Sequence, residues 1–132
     1  MERKTFAVLG GDLRQYWVAR GLKEQGYAVK TFALTDPDGP LPQTQTLQMV
    51  LAEADYVILP VPAFTGDGTL NAQGVEVDRE TLLTALRPGA WVFGGKLGSW
   101  ADAAADHGMH PVDYLALEEM AVANAIPAAA AI

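Results

Sequence analysis

The 132-residue sequence predicts a doubly wound α/β domain on a mostly parallel five-stranded sheet. Three observations predict it. Short apolar runs alternate with stretches of helical periodicity. Three of the apolar runs stop at glycine or proline, the residues that close strands. The length suffices for one hydrophobic core and is short for two.

The elements follow in chain order. Thr5-Phe6-Ala7-Val8-Leu9 is a compact apolar run ended by Gly10-Gly11, the pattern of a buried first strand. Asp12 is placed to cap a helix, with Gln15 at the capping-box position. Leu13, Trp17, Val18, Gly21 and Leu22 then share one helical face, and Gly26 suits the C-terminal cap. A second strand is expected over Tyr27 to Leu34, followed by a Pro-, Asp- and Gly-rich loop over Thr35 to Gln43. A helix over Gln45 to Ala54 leads to a third strand, Tyr56 to Leu59, which Pro60 and Pro62 terminate. Ala63 to Gly74 shows no periodicity and reads as a loop. Asp78 caps a helix through Leu86, Ala90 to Phe93 forms a fourth strand, and Ser99 with Asp102 opens a helix to about His107. Met109 to Tyr114 completes the set as a short fifth strand. The order is of the flavodoxin-like or Rossmann-like kind.

Composition excludes several functions. Half of the residues are hydrophobic and 19% are charged, as in water-soluble globular domains. A net charge of −7, with nine scattered basic residues, supplies no basic face for nucleic acid or for an anionic membrane surface. Without cysteine there is no disulfide, thiolate metal site or cysteine nucleophile. No signal core precedes the first strand, and no apolar run approaches the roughly 18–20 residues that span a bilayer, so a cytoplasmic protein is expected.

Three loops at the predicted carboxyl ends of strands could carry chemistry. The turn Gly10-Gly11-Asp12-Leu13-Arg14-Gln15 lies where a dinucleotide fingerprint would stand, but Asp12 and Gln15 occupy its third and sixth positions instead of glycine. A carboxylate at the helix start would repel a diphosphate, and Asp36 after the second strand is read as loop decoration. The stretch Pro60 to Thr69 offers Thr65 and the backbone at Gly66 and Gly68, and is either a binding loop or an ordinary surface loop. Gly94-Gly95-Lys96-Leu97-Gly98-Ser99 is either an anion nest or a glycine-rich turn with a solvated lysine. His107 and His110 read as surface histidines without the third ligand a metal needs. Glu118-Glu119 reads as a helix start before it reads as an acid/base pair.

Together these segments are similar to the N-terminal domain of dipicolinate synthase A subunits. The matching stretches are Val8 to Gln15, Ile58-Leu59-Pro60-Val61 with Thr65-Gly66-Asp67-Gly68, and Glu118 through Asn124-Ala125-Ile126-Pro127, in the family's order. Lys96 and the plain Ala128 to Ala131 depart from it. The resemblance implies an NAD(P)-dependent oxidoreductase that makes dipicolinate from a dihydrodipicolinate-pathway intermediate during sporulation, working with a flavoprotein-like B subunit. It implies a flavodoxin-like substrate domain here, residues 1–132, and a Rossmann domain downstream that binds most of the NAD(P), as in hydroxyacid and alanine dehydrogenases. The alanine-rich tail, which has no stop signal, agrees with a chain that runs on. This domain alone is then expected to be inactive.

The resemblance also implies a small cyclic dicarboxylate substrate, held by Gly10, Gly11, Asp12, Arg14, Thr65, Gly66 and Asn124. Arg14 would either offer a planar fork to a carboxylate or pair with Asp12 or another nearby acid, and Asn124 would lie at the hinge. It designates no catalytic residue and no metal, and it leaves a homo-oligomer possible. The alternatives are a receiver-like module and a self-contained nucleotide-binding module, both without enzymatic activity. The first would need a phosphoacceptor aspartate where Pro60 stands, and the second is weakened by Asp12 and Gln15.

Overall fold

A computed structural model describes residues 4–11, 13–36, 39–40, 46–72 and 75–113. Five strands, β1 (Thr5–Leu9), β2 (Ala28–Phe32), β5 (Tyr56–Ile58), β6 (Trp91–Gly94) and β7 (His110–Asp113), form one all-parallel sheet in the order β2-β1-β5-β6-β7. β3 (Thr35–Asp36) and β4 (Gly39–Pro40) pair as a small antiparallel ladder inside the segment expected to be loop. The helices are α1 (Leu13–Glu24), α2 (Leu47–Leu51), α3 (Arg79–Ala85) and α4 (Ser99–Asp106).

Side chains alternate across the sheet as the pleat requires. Ala7, Leu9, Val57, Leu59 and Val92 point to one face, where α2, α3 and α4 cover them with Leu47, Val50, Leu51, Leu82 and Trp100. Val8, Val29 and Ile58 point to the other, where α1 supplies Ala19 and Leu22. All five main strands and four helices therefore stand where the alternation of the sequence puts them, with helices on both faces.

Caps account for several boundaries. Gly26, at φ 91°, ends α1 in a Schellman motif, with Tyr27 N donating to Leu22 O and Gly26 N to Lys23 O. Gly108 ends α4 in the same way, through Met109 N to Ala104 O and Gly108 N to Ala105 O. Asp78 caps α3 by accepting from Thr81 N at 2.7 Å, and hydrogen bonding with the Thr81 side chain, followed by that backbone bond, holds its carboxyl below the ordinary carboxylate range. Thr46 caps α2, so that helix is shorter than the sequence pattern suggests. At α4 the capping position is Gly98 and not Ser99, which lies inside the first turn and makes no capping bond. β2 stops at Phe32 because Ala33 turns left-handed at φ 57°.

The apolar face read for α1 packs only in part, through Leu22. Gln15, Ala19 and Leu22 turn toward the sheet, while Leu13, Trp17 and Val18 are 41%, 52% and 40% exposed. Trp17 lies instead under the Arg20 guanidinium, 5.5 Å from its ring centroid.

Candidate functional site

The chain leaves β1 toward β2 on one side, and later enters β5 on the other. The carboxyl ends of β1 and β5 are therefore the topological switch point, where open parallel sheets form their ligand crevice. A cleft of about 610 Å³ opens there. Its polar lining comes from Arg14, Gln15, Thr35 and Asn71, and its apolar lining from Leu13, Val18, Ile58, Pro60 and Val61, with Gly11 at the turn.

Gln15 organises the floor. It is the one buried polar side chain among the described residues, at 7% exposure. Its Nε2 donates to Leu9 O at 2.9 Å and to Ile58 O at 3.0 Å. The reason lies in the ladder. Val8 pairs with Ile58, and Leu59 N is given to β6, so the next β5 donor to the Leu9 carbonyl would be Pro60. Proline has no N–H. The Gln15 amide supplies the missing donor and ties the two strand ends together.

The Gly10-Gly11 turn is shaped by contact with the loop after β5. Gly10 N donates to Phe32 O at 2.8 Å and Gly11 N to Asn71 O at 2.7 Å. At Gly10 a Cβ would stand 2.6 Å from Asn71 O. At Gly11 it would stand 2.7 Å from Gln15 Cγ and 2.8 Å from Pro60 Cβ. Both residues have positive φ, at 52° and 83°. Their amides are thus spent within the fold, and what the glycines provide is close approach.

The residues singled out in the sequence separate into groups. Gly11 and Arg14 line the cleft, with Arg14 exposed on its wall, and Gly10 precedes Gly11 in the turn without lining it. Thr65 and Gly66 are not among the lining residues. They form an exposed turn in which Thr65 N donates to Thr69 O and the two threonine hydroxyls lie 3.1 Å apart. Asp12, Asn124 and Glu118-Glu119 lie outside the described residues. From the second loop it is Asn71 that reaches the cleft, its Nδ2 anchored on Pro62 O at 3.0 Å. Nothing in the sequence distinguished Asn71 or Thr35 from other polar loop residues.

The third loop is an anion nest already filled by the chain itself. Lys96 N and Leu97 N donate to the Asp113 carboxylate at 3.3 and 2.8 Å, and Lys96 adopts a left-handed φ of 58° to do so. His107 Nδ1 lies 2.8 Å from Ala103 O, and the His110 ring stacks on Trp91. Among the described residues, no three acidic or histidine side chains gather as metal ligands, and no helix is long and apolar enough to cross a membrane.

Comparison with known proteins agrees with this architecture. Residues 5–115 match the family model for the N-terminal domain of the dipicolinate synthase A subunit. The crystal structure of the dipicolinate synthase A chain from Bacillus subtilis is similar, with a TM-score of 0.58 and 23% identity over 86% of this chain and 40% of that one. The dipicolinate synthase A subunit from Bacillus halodurans is similar with a TM-score of 0.60 and 16% identity, over 96% of this chain and 45% of that one. At such identities the likeness is one of fold, and this chain spans less than half the length of either structure. No curated protein matches the sequence.

Proposed function

The chain belongs to the family of N-terminal domains of dipicolinate synthase A subunits, and from that premise we propose that it forms the substrate-side wall of a two-domain NAD(P)-dependent oxidoreductase. The reaction is the oxidation of a dihydrodipicolinate-pathway intermediate to dipicolinate in the cytoplasm of a sporulating cell, in partnership with the B subunit. The observation that carries the reading is the switch-point cleft, with Arg14 on its wall and the Gln15, Thr35 and Asn71 side chains beside it.

The chemistry of that lining suits a small dicarboxylate. Desolvating a carboxylate is costly without a charged or multiply donating partner. The Arg14 guanidinium can meet one carboxylate with two parallel N–H bonds. The Thr35 hydroxyl and the Asn71 amide stand beside it, and Ile58, Pro60 and Val61 offer an apolar surface to a flat ring. Thr65, Gly66, Asp12 and Asn124 remain part of the proposal as residues that meet the substrate or the second domain.

The β1–α1 turn does not fit a dinucleotide diphosphate. Both glycine amides are donated internally, and Gln15 fills the position where a fingerprint glycine would let the phosphates in. NAD(P) is therefore assigned to residues downstream of this domain, and the domain alone is expected to be inactive.

The test is Arg14→Lys in the full-length enzyme. A point charge cannot replace the bidentate fork, so kcat/KM is expected to fall by the equivalent of about 1.5–3 kcal/mol, the scale of a charge-assisted hydrogen bond, with an unchanged melting temperature. Unchanged kinetics would remove Arg14 from the site.

A further inference from the structure

Gln15 does more for the cleft than tie its floor. A side-chain amide carries two N–H donors on its nitrogen and an acceptor on its oxygen. Both donors of Gln15 are committed, Nε2 to Leu9 O at 2.9 Å and to Ile58 O at 3.0 Å. Turning the amide over would set Oε1 against two carbonyl oxygens and strip both of their donor, so its orientation is fixed. The stem is held as well, since a Cβ at Gly11 would stand 2.7 Å from Gln15 Cγ and the glycine leaves that space to it. Among the described residues every fully buried side-chain nitrogen and oxygen has a partner, and Gln15 bonds to them through Nε2 alone. Oε1 is thus open to the cleft that Gln15 lines, in a residue only 7% exposed.

We propose that Gln15 Oε1 is a specificity-determining acceptor. It selects a cyclic dicarboxylate whose ring carries an N–H or O–H donor over one whose ring carries none. The inference rests on the reading of the cleft as a dicarboxylate site and adds a second element of recognition to it. Arg14 supplies donors and takes a carboxylate. An oxygen with fixed lone pairs repels a carboxylate and is satisfied only by a donor. Ile58, Pro60 and Val61 line the same cleft, so a ring entering it displaces water from apolar surface and from Oε1 together. The ligand then either pairs this oxygen or leaves it unpaired, which is how polar sites reject analogues that lack one group. A partly reduced nitrogen ring carries its donor as a ring N–H or as a hydroxyl on a saturated carbon. The aromatic ring has neither. The oxygen that holds the reduced ring therefore favours release of the aromatic one.

The experiment measures by calorimetry the binding of three probes to the full-length enzyme. They are dipicolinate, dipicolinate with a hydroxyl on the ring carbon opposite the nitrogen, and the methyl ether of that compound. The hydroxyl compound presents an O–H at one end of the ring or, as its keto tautomer, an N–H at the other. It should bind roughly three- to tenfold more tightly than dipicolinate or the ether, the fold-change of one neutral hydrogen bond. In enzyme carrying ¹³C at the glutamine side-chain carbonyls, it alone should move the Gln15 Cδ resonance downfield. Equal binding of the hydroxyl compound and dipicolinate, or a Gln15 resonance that stays in place, would overturn the proposal. Arg14→Lys keeps the two readings apart: if it weakens all three probes alike, the dicarboxylate site stands although the acceptor role has failed. If none of the three binds, the site reading fails and the proposal with it. Selectivity is read with Gln15 unmodified, so no loss of folding enters the comparison.

Discussion

Replacing Gln15 by leucine tests the account of the cleft floor most directly. Leucine nearly fills the volume, so the cavity contribution is small and the loss is that of the amide donor. Two carbonyls lose a hydrogen bond, Leu9 O at 2.9 Å and Ile58 O at 3.0 Å. They do not lose it equally. Ile58 O lies within the β1–β5 ladder, whereas the ladder donor to Leu9 O would be Pro60, which has no N–H. A buried carbonyl stripped of its donor costs about 1–3 kcal/mol, and the second bond adds about 0.5–1.5 kcal/mol. The expected destabilisation is about 2–4 kcal/mol by this count, or a fall in melting temperature of roughly 6–16 °C for a chain of this size. Chemical denaturation with an unchanged m-value would confirm that the folded state has lost stability without losing compactness.

Gln15→Glu sharpens the test through pH. An ionised carboxylate facing two carbonyls is disfavoured, so the folded-state pKa of the introduced carboxyl should lie above its unfolded value of about 4.3. A raised folded pKa means the variant comes nearest to wild type below that unfolded pKa. It then loses stability, relative to wild type at the same pH, as pH rises through the folded value. A Gln15→Leu protein that melts with wild type, or a Gln15→Glu deficit that is flat with pH, would refute the reasoning.

Two further outcomes follow from the same geometry. Gly11→Ala should destabilise by about 1–3 kcal/mol, since a Cβ is placed at a strained positive φ and meets Gln15 Cγ and Pro60 Cβ at 2.7 and 2.8 Å. Hydrogen exchange should show the loss concentrated in the segment after β5, and uniform loss would argue against the contact. Asp78→Ala should lower the melting temperature near neutral pH while Asp78→Asn largely preserves it. Because the folded pKa of Asp78 is depressed by its hydrogen bonds with Thr81, its contribution is present above the unfolded pKa and fades as pH falls through the folded one. The deficit of Asp78→Ala should therefore shrink only in acid, below about pH 4.

The order of strands and helices and the parallel sheet were legible in the sequence because both depend on local signals. The runs at Thr5–Leu9 and Tyr56–Ile58 are apolar because both faces of a parallel strand are buried, and Gly26, Asp78 and Gly108 mark helix ends through bonds made within a few residues. The family could be read from motifs for the same reason, since Gly-Gly-Asp-x-Arg-Gln is a contiguous turn. Where side chains point once remote segments meet was settled by the folded chain alone. Helical spacing marked Leu13, Trp17, Val18, Gly21 and Leu22 as one face of α1, yet of these Leu22 packs inward with Gln15 and Ala19 while Leu13, Trp17 and Val18 stay exposed. The sheet is not uniformly apolar where α1 crosses its end. Pro60, 45 residues after Gln15, leaves a carbonyl there that the Gln15 side-chain amide satisfies. Asn71 reaches the cleft, and Thr65 does not, because Gly11 N docks on the Asn71 carbonyl. The glycine nest after β6 holds Asp113 because the edge strand β7 delivers that carboxylate to it. These are contacts across 16 to 60 residues of chain, and no local pattern carries them.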